Sequence, residues 1–175
     1  YAQGKWRAKA AKWTSPVLSI VQDDFRSGIQ VSTRNSRRDN FNIVKGTYKG
    51  EQTNYQITDY PNVREEVFLE EDGGFEVETD FDLPYTDDPL DCQRIARIFL
   101  RRNREQLAFT TTLGLKAFQL QVGDNVTITN PRYGWVNKTF EVGSWSFTIT
   151  DQLDIVFPIS LREVSPEIFD NSPGE

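Results

Sequence analysis

The densest group of chemistry-bearing side chains is the acidic run Glu65, Glu66, Glu70, Glu71 and Asp72. Carboxylates in such groups hold calcium or work in pairs on a glycosidic bond. No EF-hand spacing is present and any acidic strand supplies Glu pairs, so a solvated acidic face is the default reading. A second group, Arg94, Arg97, Arg101, Arg102 and Arg104, offers guanidinium forks for phosphates or carboxylates, or for nearby acids such as Glu105 and the acidic strand. Tyr133 and Trp135 flank Gly134 beside Arg132, in a loop that also holds Pro131. Such rings stack on a sugar or a protein partner, or the Trp plugs a core; both readings stay open. Cys92 falls on an apolar helical face and reads as a buried, inert thiol. The candidate partner contacts are therefore Arg132, Tyr133 and Trp135, the basic pair Arg37 and Arg38, and Glu70 and Glu71; no catalytic, metal-ligating or cofactor-binding residue is assigned.

What is missing narrows the classes further. The chain has 175 residues and no His, which removes Ser-His-Asp and Cys-His catalysis and His-ligated zinc. Its single Cys allows neither an internal disulfide nor a Cys-cluster metal site. There is no Gly-rich phosphate loop, nucleophile elbow or zinc-protease helix. There is no Met either, and position 1 is Tyr, so the expectation is a piece of something longer. No run approaches the ~20 apolar residues of a membrane helix. Aromatic residues reach 13%, enough for an aromatic, β-branched core and too many for a disordered chain.

Charge is laid out in blocks. Residues 1–49 carry +7, residues 50–91 carry −13, and residues 92–175 are neutral, which leaves −6 overall. Either the blocks lie on different faces of one soluble body, or the basic segment meets the acidic one in the same chain or a neighbouring copy. The acidic excess argues against nucleic acid binding.

These residues need elements to position them. Residues 5–13 alternate apolar and basic, which predicts a strand, although the Ala and Lys there also suit a helix; Ile29 to Arg34 alternates again, and Phe41 to Tyr48 reads as a strand. Val17 to Val21 reads as a turn or a single helical turn, and 35–40 as a loop or short helix. Residues 49–62 read as irregular, Val63 to Leu69 as a strand, and Asp72-Gly73-Gly74 as a tight turn. Phe75, Val77, Thr79, Phe81 and Leu83 alternate with acids, which predicts a half-buried strand. Asp88 and Pro89 open a helix over 89–106, with Cys92, Ile95, Ala96 and Phe99 on one face. Beyond it the pattern is β: Ala108 to Thr112; alternating Phe118, Leu120 and Val122; a turn at Gly123-Asp124; and Val126 with Ile128. Phe140 to Ile149 then flanks a bulge or bend at Gly143, and Leu153 to Leu161 forms a last strand whose Pro158 marks an edge or bulge.

Read as linked phrases, the sequence resembles the central region of phage tail tip attachment proteins, also called host-specificity or central tail hub proteins. The phrases are Gly4-Lys5-Trp6-Arg7, Asp23-Asp24-Phe25, Ser36-Arg37-Arg38-Asp39-Asn40-Phe41-Asn42 and Val44-Lys45-Gly46-Thr47-Tyr48. They continue with Tyr55-Gln56-Ile57-Thr58-Asp59-Tyr60-Pro61, Glu71-Asp72-Gly73-Gly74, Leu83-Pro84-Tyr85-Thr86 and Gln93-Arg94-Ile95-Ala96. Leu120 to Val126, Tyr133-Gly134-Trp135, Lys138 to Val142, and Leu161-Arg162-Glu163 before Ser165-Pro166 complete the series. The resemblance implies a structural hub: a homotrimer at the distal end of a tail tube, built from small β-barrels with an α/β insert. Its partners would be other tail tip and tail tube proteins and, indirectly, the host surface. It would be located in the virion, at the tail tip, after synthesis in the cytoplasm of a bacterial host. No catalytic residues come with it, no cofactor, no nucleic acid sequence recognition and no membrane span. In the turn Leu120 to Val126, both Val122 and Val126 should point inward. The polar end after Phe169-Asp170-Asn171 and the absence of preceding domains depart from the pattern.

The expected fold class is α+β and β-rich, with small barrel-like antiparallel domains and one main helix. The expected lobes are 1–87 and 88–170 with a polar tail at 171–175, part of 1–48 completing the C-terminal barrel. The rival expectations are a carbohydrate-binding or host-surface recognition module using Tyr133 and Trp135, and a cell-wall hydrolase using Glu70 or Glu71.

Overall fold

Asp88 and Pro89 start a helix as the sequence requires: the Asp88 carboxylate accepts the Leu90 N–H at 2.8 Å, and Pro89 occupies the first turn. The computed structural model describes residues 12–32, 40–150 and 152–170, so the alternating segment before Lys12 and the loop holding Arg37 and Arg38 lie outside the described residues. In chain order the strands are β1 (Leu18–Val21), β2 (Gln30–Ser32), β3 (Ile43–Lys45), β4 (Thr47–Lys49), β5 (Ile57–Asp59) and β6 (Val63–Arg64). Helix α1 (Glu66–Glu71), β7 (Glu78–Asp80) and helix α2 (Pro89–Arg104) follow. Strands β8 (Ala108–Leu113), β9 (Asn125–Asn130), β10 (Trp135–Trp145), β11 (Thr148–Ile149) and β12 (Ile155–Glu163) complete the chain, with 3-10 turns between several elements. The fold is α+β, rich in β-structure, with α2 as its main helix.

The chain forms two compact units, one from 1–34 and 105–169, the other from 35–104 and 170–175. The expected division at 87/88 is thereby corrected. Helix α2 belongs with the preceding strands because its buried residues Cys92, Ala96 and Leu100 share a core with Val44, Tyr48 and Tyr60.

In the first unit the strands run in the order β1-β9-β10-β12-β8-β2, with β11 on β12. β1 is parallel to β9 and the remaining pairs are antiparallel. This ladder is an open path and not a closed barrel. The chain itself curls it: Leu18–Val21 pairs with β9 at one end, and a few residues later the Arg26 N–H donates to the Thr112 carbonyl on β8 at 2.8 Å. The concave side encloses Ile20, Phe109, Val126, Phe140, Phe157 and Leu161 among others. Alternating strands bury one face in this way because successive side chains point to opposite sides.

In the second unit β3 lies between antiparallel β6 and parallel β7, and β4 pairs with β5. The Phe99 ring stacks between Phe41 and Phe81, with centroids 5.1 and 4.4 Å away. The wholly buried Asn42 side chain donates to the Asp72 carboxylate and to the Phe75 carbonyl, each at 2.8 Å, and accepts the Val77 N–H at 2.9 Å. Arg104 grips both Asp72 oxygens and the Phe41 carbonyl, and its guanidinium lies 4.8 Å over the Phe68 ring.

Several expectations are corrected. Val17 to Val21 contains strand β1, because β9 offers it a parallel edge. Val63 to Leu69 splits into β6 and α1, and Asp72-Gly73-Gly74 closes that helix, Gly73 and Gly74 both having positive φ. The single strand expected over Phe41 to Tyr48 breaks at Gly46 into β3 and β4. The strand expected from Phe75 is regular only over Glu78–Asp80, yet its backbone contacts run on past Gly46: the Phe81 N–H donates to the Lys45 carbonyl, the Leu83 N–H to the Thr47 carbonyl, and Leu83 bridges to Tyr48. Helix α2 ends at Arg104, two residues early. Phe118 and Leu120 fall in and after a 3-10 turn (Leu115–Gln119), and Val122 points outward, 58% exposed, while Val126 is buried. Of the bulge or bend expected at Gly143 the structure has the bulge, where the register between β10 and β12 slips. Strand β12 is internal, between β10 and β8, and not an edge. Its Pro158 is tolerated because the carbonyl faces the Ser146 N–H at 3.1 Å, just past the end of β10, where no ladder partner needs the missing donor.

Candidate interaction surface

The convex face of the first unit follows from register. Ser19 pairs with Thr127 and Val21 with Thr129 across β1 and β9, and Thr127 with Thr139 across β9 and β10. A second row runs Ser144, Ser160, Thr110, Gln30 across β10, β12, β8 and β2. A third runs Asn125, Glu141, Arg162, Ala108, Ser32. Of the outward positions so paired, the charged ones are Glu141 and Arg162, which face each other. In a chain that is 26% charged, such a face lacks what normally keeps a sheet in water. Depletion of charge is a property of interface centres.

A shallow groove of about 330 Å³ lies on this face, lined by Ser27, Gln30, Thr110, Thr112, Ser144, Ser160 and their neighbours. The Ser144 and Ser160 hydroxyls lie 2.7 Å apart, and the Ser27 hydroxyl accepts the Thr112 N–H at 3.0 Å. The groove therefore presents hydroxyls with no charge to desolvate, which suits a polypeptide surface. Sequence reasoning missed it. The signal was present in the Thr110/Thr112 and Thr127/Thr129 alternations, but choosing their outward side requires the register.

The sequence-predicted residues are placed as follows. Trp135 is 8% exposed and packs on Phe109 and Phe140, each with centroids 5.3 Å away, so it fills the core and does not form a platform. Tyr133, 36% exposed, stacks on it at 4.8 Å, and the Arg132 guanidinium lies 5.9 Å from the Tyr133 ring. The turn that holds them is capped by the Asn130 side chain, which accepts the Arg132 N–H at 3.1 Å, and closed by left-handed Gly134. Glu70 and Glu71 are exposed at the end of α1. They do not join the helix arginines, whose acidic partners are others. Arg101 reaches Glu65 at 2.9 Å, Arg97 reaches it at 3.7 Å, and Arg104 binds Asp72. Arg37 and Arg38 lie outside the described residues.

Titration reflects the same packing. Burial, with nearby acidic charge, raises the Cys92 thiol. Burial also pushes Tyr60 up to about 12, with its hydroxyl donating to the Phe81 carbonyl at 2.8 Å. Among the described residues no group of three or more His, Cys, Asp or Glu stands where it could hold a metal ion, and no helix is long and apolar enough to cross a membrane.

No family model matches the chain, and no curated protein matches it. Solved structures do. A protein in the virion of a native gene transfer agent particle superposes with a TM-score of 0.66 at 13% identity, over 92% of this chain and 34% of that one. A tail protein from Neisseria meningitidis MC58 superposes at 0.57 and 15% identity, over 91% of this chain and 48% of that one. The 43 kDa tail protein of prophage MuSo2 from Shewanella oneidensis superposes at 0.54 and 15% identity, over 93% of this chain and 48% of that one. The chain thus spans a third to a half of the length of the proteins whose fold it shares.

Proposed function

We propose that this chain is a structural, non-catalytic part of the tail of a phage or phage-like particle, at the tip, where a central hub joins the tail tube to host-contacting parts. The observation that carries the reading is the fold shared over more than nine-tenths of the chain with a gene transfer agent virion protein and two tail proteins. The nearly uncharged convex face supports it, since a building block must bury sheet surface against neighbours. In this reading three copies form a ring, and the neighbours on each side are tail tip and tail tube proteins. Arg132, Tyr133, Glu70 and Glu71, together with Arg37 and Arg38, serve as peripheral contacts, and Trp135 supports Tyr133 from beneath. The acidic residues of 50–91 and the basic residues of 1–49 help define contacts between copies.

The test is antibody-gold labelling of particles released by the source cells. Gold confined to one tail end is expected. Clean tails beside well-labelled cells would remove the reading.

A further inference from the structure

The hairpin formed by β11 and β12 carries the core-facing side of the sheet out beyond the core. Ile149 pairs with Ile155, and two residues along the same face stand Phe147 and Phe157. Phe157 is fully buried, and the rings of Phe147 and Phe118 lie against it at 5.8 and 6.1 Å. Yet Phe118 is 66% exposed, Ile149 56%, Phe147 49% and Ile155 39%. At the tip, Leu153 has φ of +63° and is 83% exposed. A bulky residue in the left-handed region is strained. Gly or Asn would relieve that strain, and within the chain the leucine side chain gains little packing to offset it. An exposed, strained apolar side chain on a turn held by Thr150–Asp154 hydrogen bonds has the form of an anchor for another surface.

A pocket of matching size exists on the same unit. About 180 Å³ in volume, it is floored by Leu18, Ile20, Leu113 and Ala117. A cavity of about 150 Å³ takes a benzene-sized group, so this one admits a leucine side chain. Its rim carries Asp23, Asp24, Arg26 and Lys116. Asp24 is engaged by Lys116 at 2.8 Å; against burial, which raises it, the Asp24 carboxyl is lowered by Lys116 and also by the nearby Arg26 charge, though Arg26 makes no direct ion pair among the described residues. Beside Leu153 stands Asp154, exposed and likewise without an ion pair among the described residues. Anchor and pocket are different patches, so joining them between copies gives a head-to-tail contact, the kind that builds rings.

The geometry points to a heterologous contact between copies of this chain, in which Leu153 of one seats in the Leu18, Ile20, Leu113, Ala117 pocket of the next and Asp154 meets Arg26. It deepens, and rests on, the structural reading above. The test is sedimentation of the full chain over a concentration series up to about 1 mM. Association is expected to weaken tenfold to a hundredfold in Leu153→Gly, about what losing a buried leucine implies. The thermal midpoint of that variant should not fall, because glycine relieves the turn. Arg26→Glu, exposed on the rim, should also weaken association. Mixing the two variants should restore a one-to-one complex, since each keeps one intact half. A wild-type chain that stays monomeric at about 1 mM overturns the contact, as does unchanged association in Leu153→Gly. Failure of the mixture to pair, as expected of a hairpin-on-hairpin dimer or of a different protein as occupant, overturns it too. Gold on tail ends with a monomeric chain sinks this contact alone; association with unlabelled tails sinks the tail reading alone.

Discussion

Gly46→Ala should unfold the second unit selectively. A Cβ at residue 46 would lie 2.2 Å from the Phe81 carbonyl oxygen, 2.6 Å from its carbon and 3.1 Å from the Tyr60 hydroxyl. Ordinary contact requires that carbonyl to recede by about 1 Å. It is not free to do so. The Phe81 N–H donates to Lys45 at 2.7 Å, the Leu83 N–H to Thr47 at 2.8 Å, and the Tyr60 hydroxyl to the Phe81 carbonyl itself at 2.8 Å. Residual overpacking costs about 1–3 kcal/mol, and a buried hydroxyl left without its acceptor another ~1–3. The expected loss is about 3–5 kcal/mol, a large part of a domain's stability. The Trp residues among those described, Trp13, Trp135 and Trp145, lie in the first unit, whereas α2 lies in the second. Urea unfolding of Gly46→Ala should therefore shift the circular dichroism transition to lower denaturant and leave the Trp fluorescence transition in place. Gly28→Ala, where a Cβ meets nothing within 4 Å, is the control and should be neutral or gain up to about 1 kcal/mol. Gly46→Ala within about 1 kcal/mol of wild type would refute the packing argument.

Other outcomes follow from the same reasoning. Trp135→Ala should cost about 3–5 kcal/mol in the Trp-monitored transition, because the ring is core, while Tyr133→Ala should cost under about 1 kcal/mol and leave the unit folded. Asp72→Asn should destabilise the second unit by about 2–3 kcal/mol in urea, as the Arg104 guanidinium loses its bidentate acceptor. Burial raises the Glu105 carboxyl above its ordinary range, against a lowering hydrogen bond from Ser165, and one of its oxygens has no partner. A raised carboxyl favours the folded, protonated form, so its contribution is full in acid and is lost as pH rises through the folded value. Glu105→Gln should accordingly stabilise the first unit at neutral pH, and the gain should vanish in acid; a gain of equal size at both would contradict this origin.

The sequence by itself determined the features that are local. Helix α2 was legible because its cap, its proline and its apolar spacing lie within a few turns of one another. The bulge at Gly143 and the alternation of β9 and β12 were legible for the same reason. Tertiary structure decided what depends on partners far apart in the chain. Val17 to Val21 became a strand because β9, more than a hundred residues later, offered an edge. The alternation from Phe75 yielded a regular strand over Glu78–Asp80 and then a lone bridge at Leu83, because the segment it pairs with breaks at Gly46 between β3 and β4. The choice between platform and plug at Trp135 was settled by Phe109 and Phe140 closing around it. The uncharged convex face had the same cause: each Ser and Thr was visible in the sequence, but its side of the sheet was not. A one-residue change of register would have turned every one of them inward, and register is set by long-range pairing around the core.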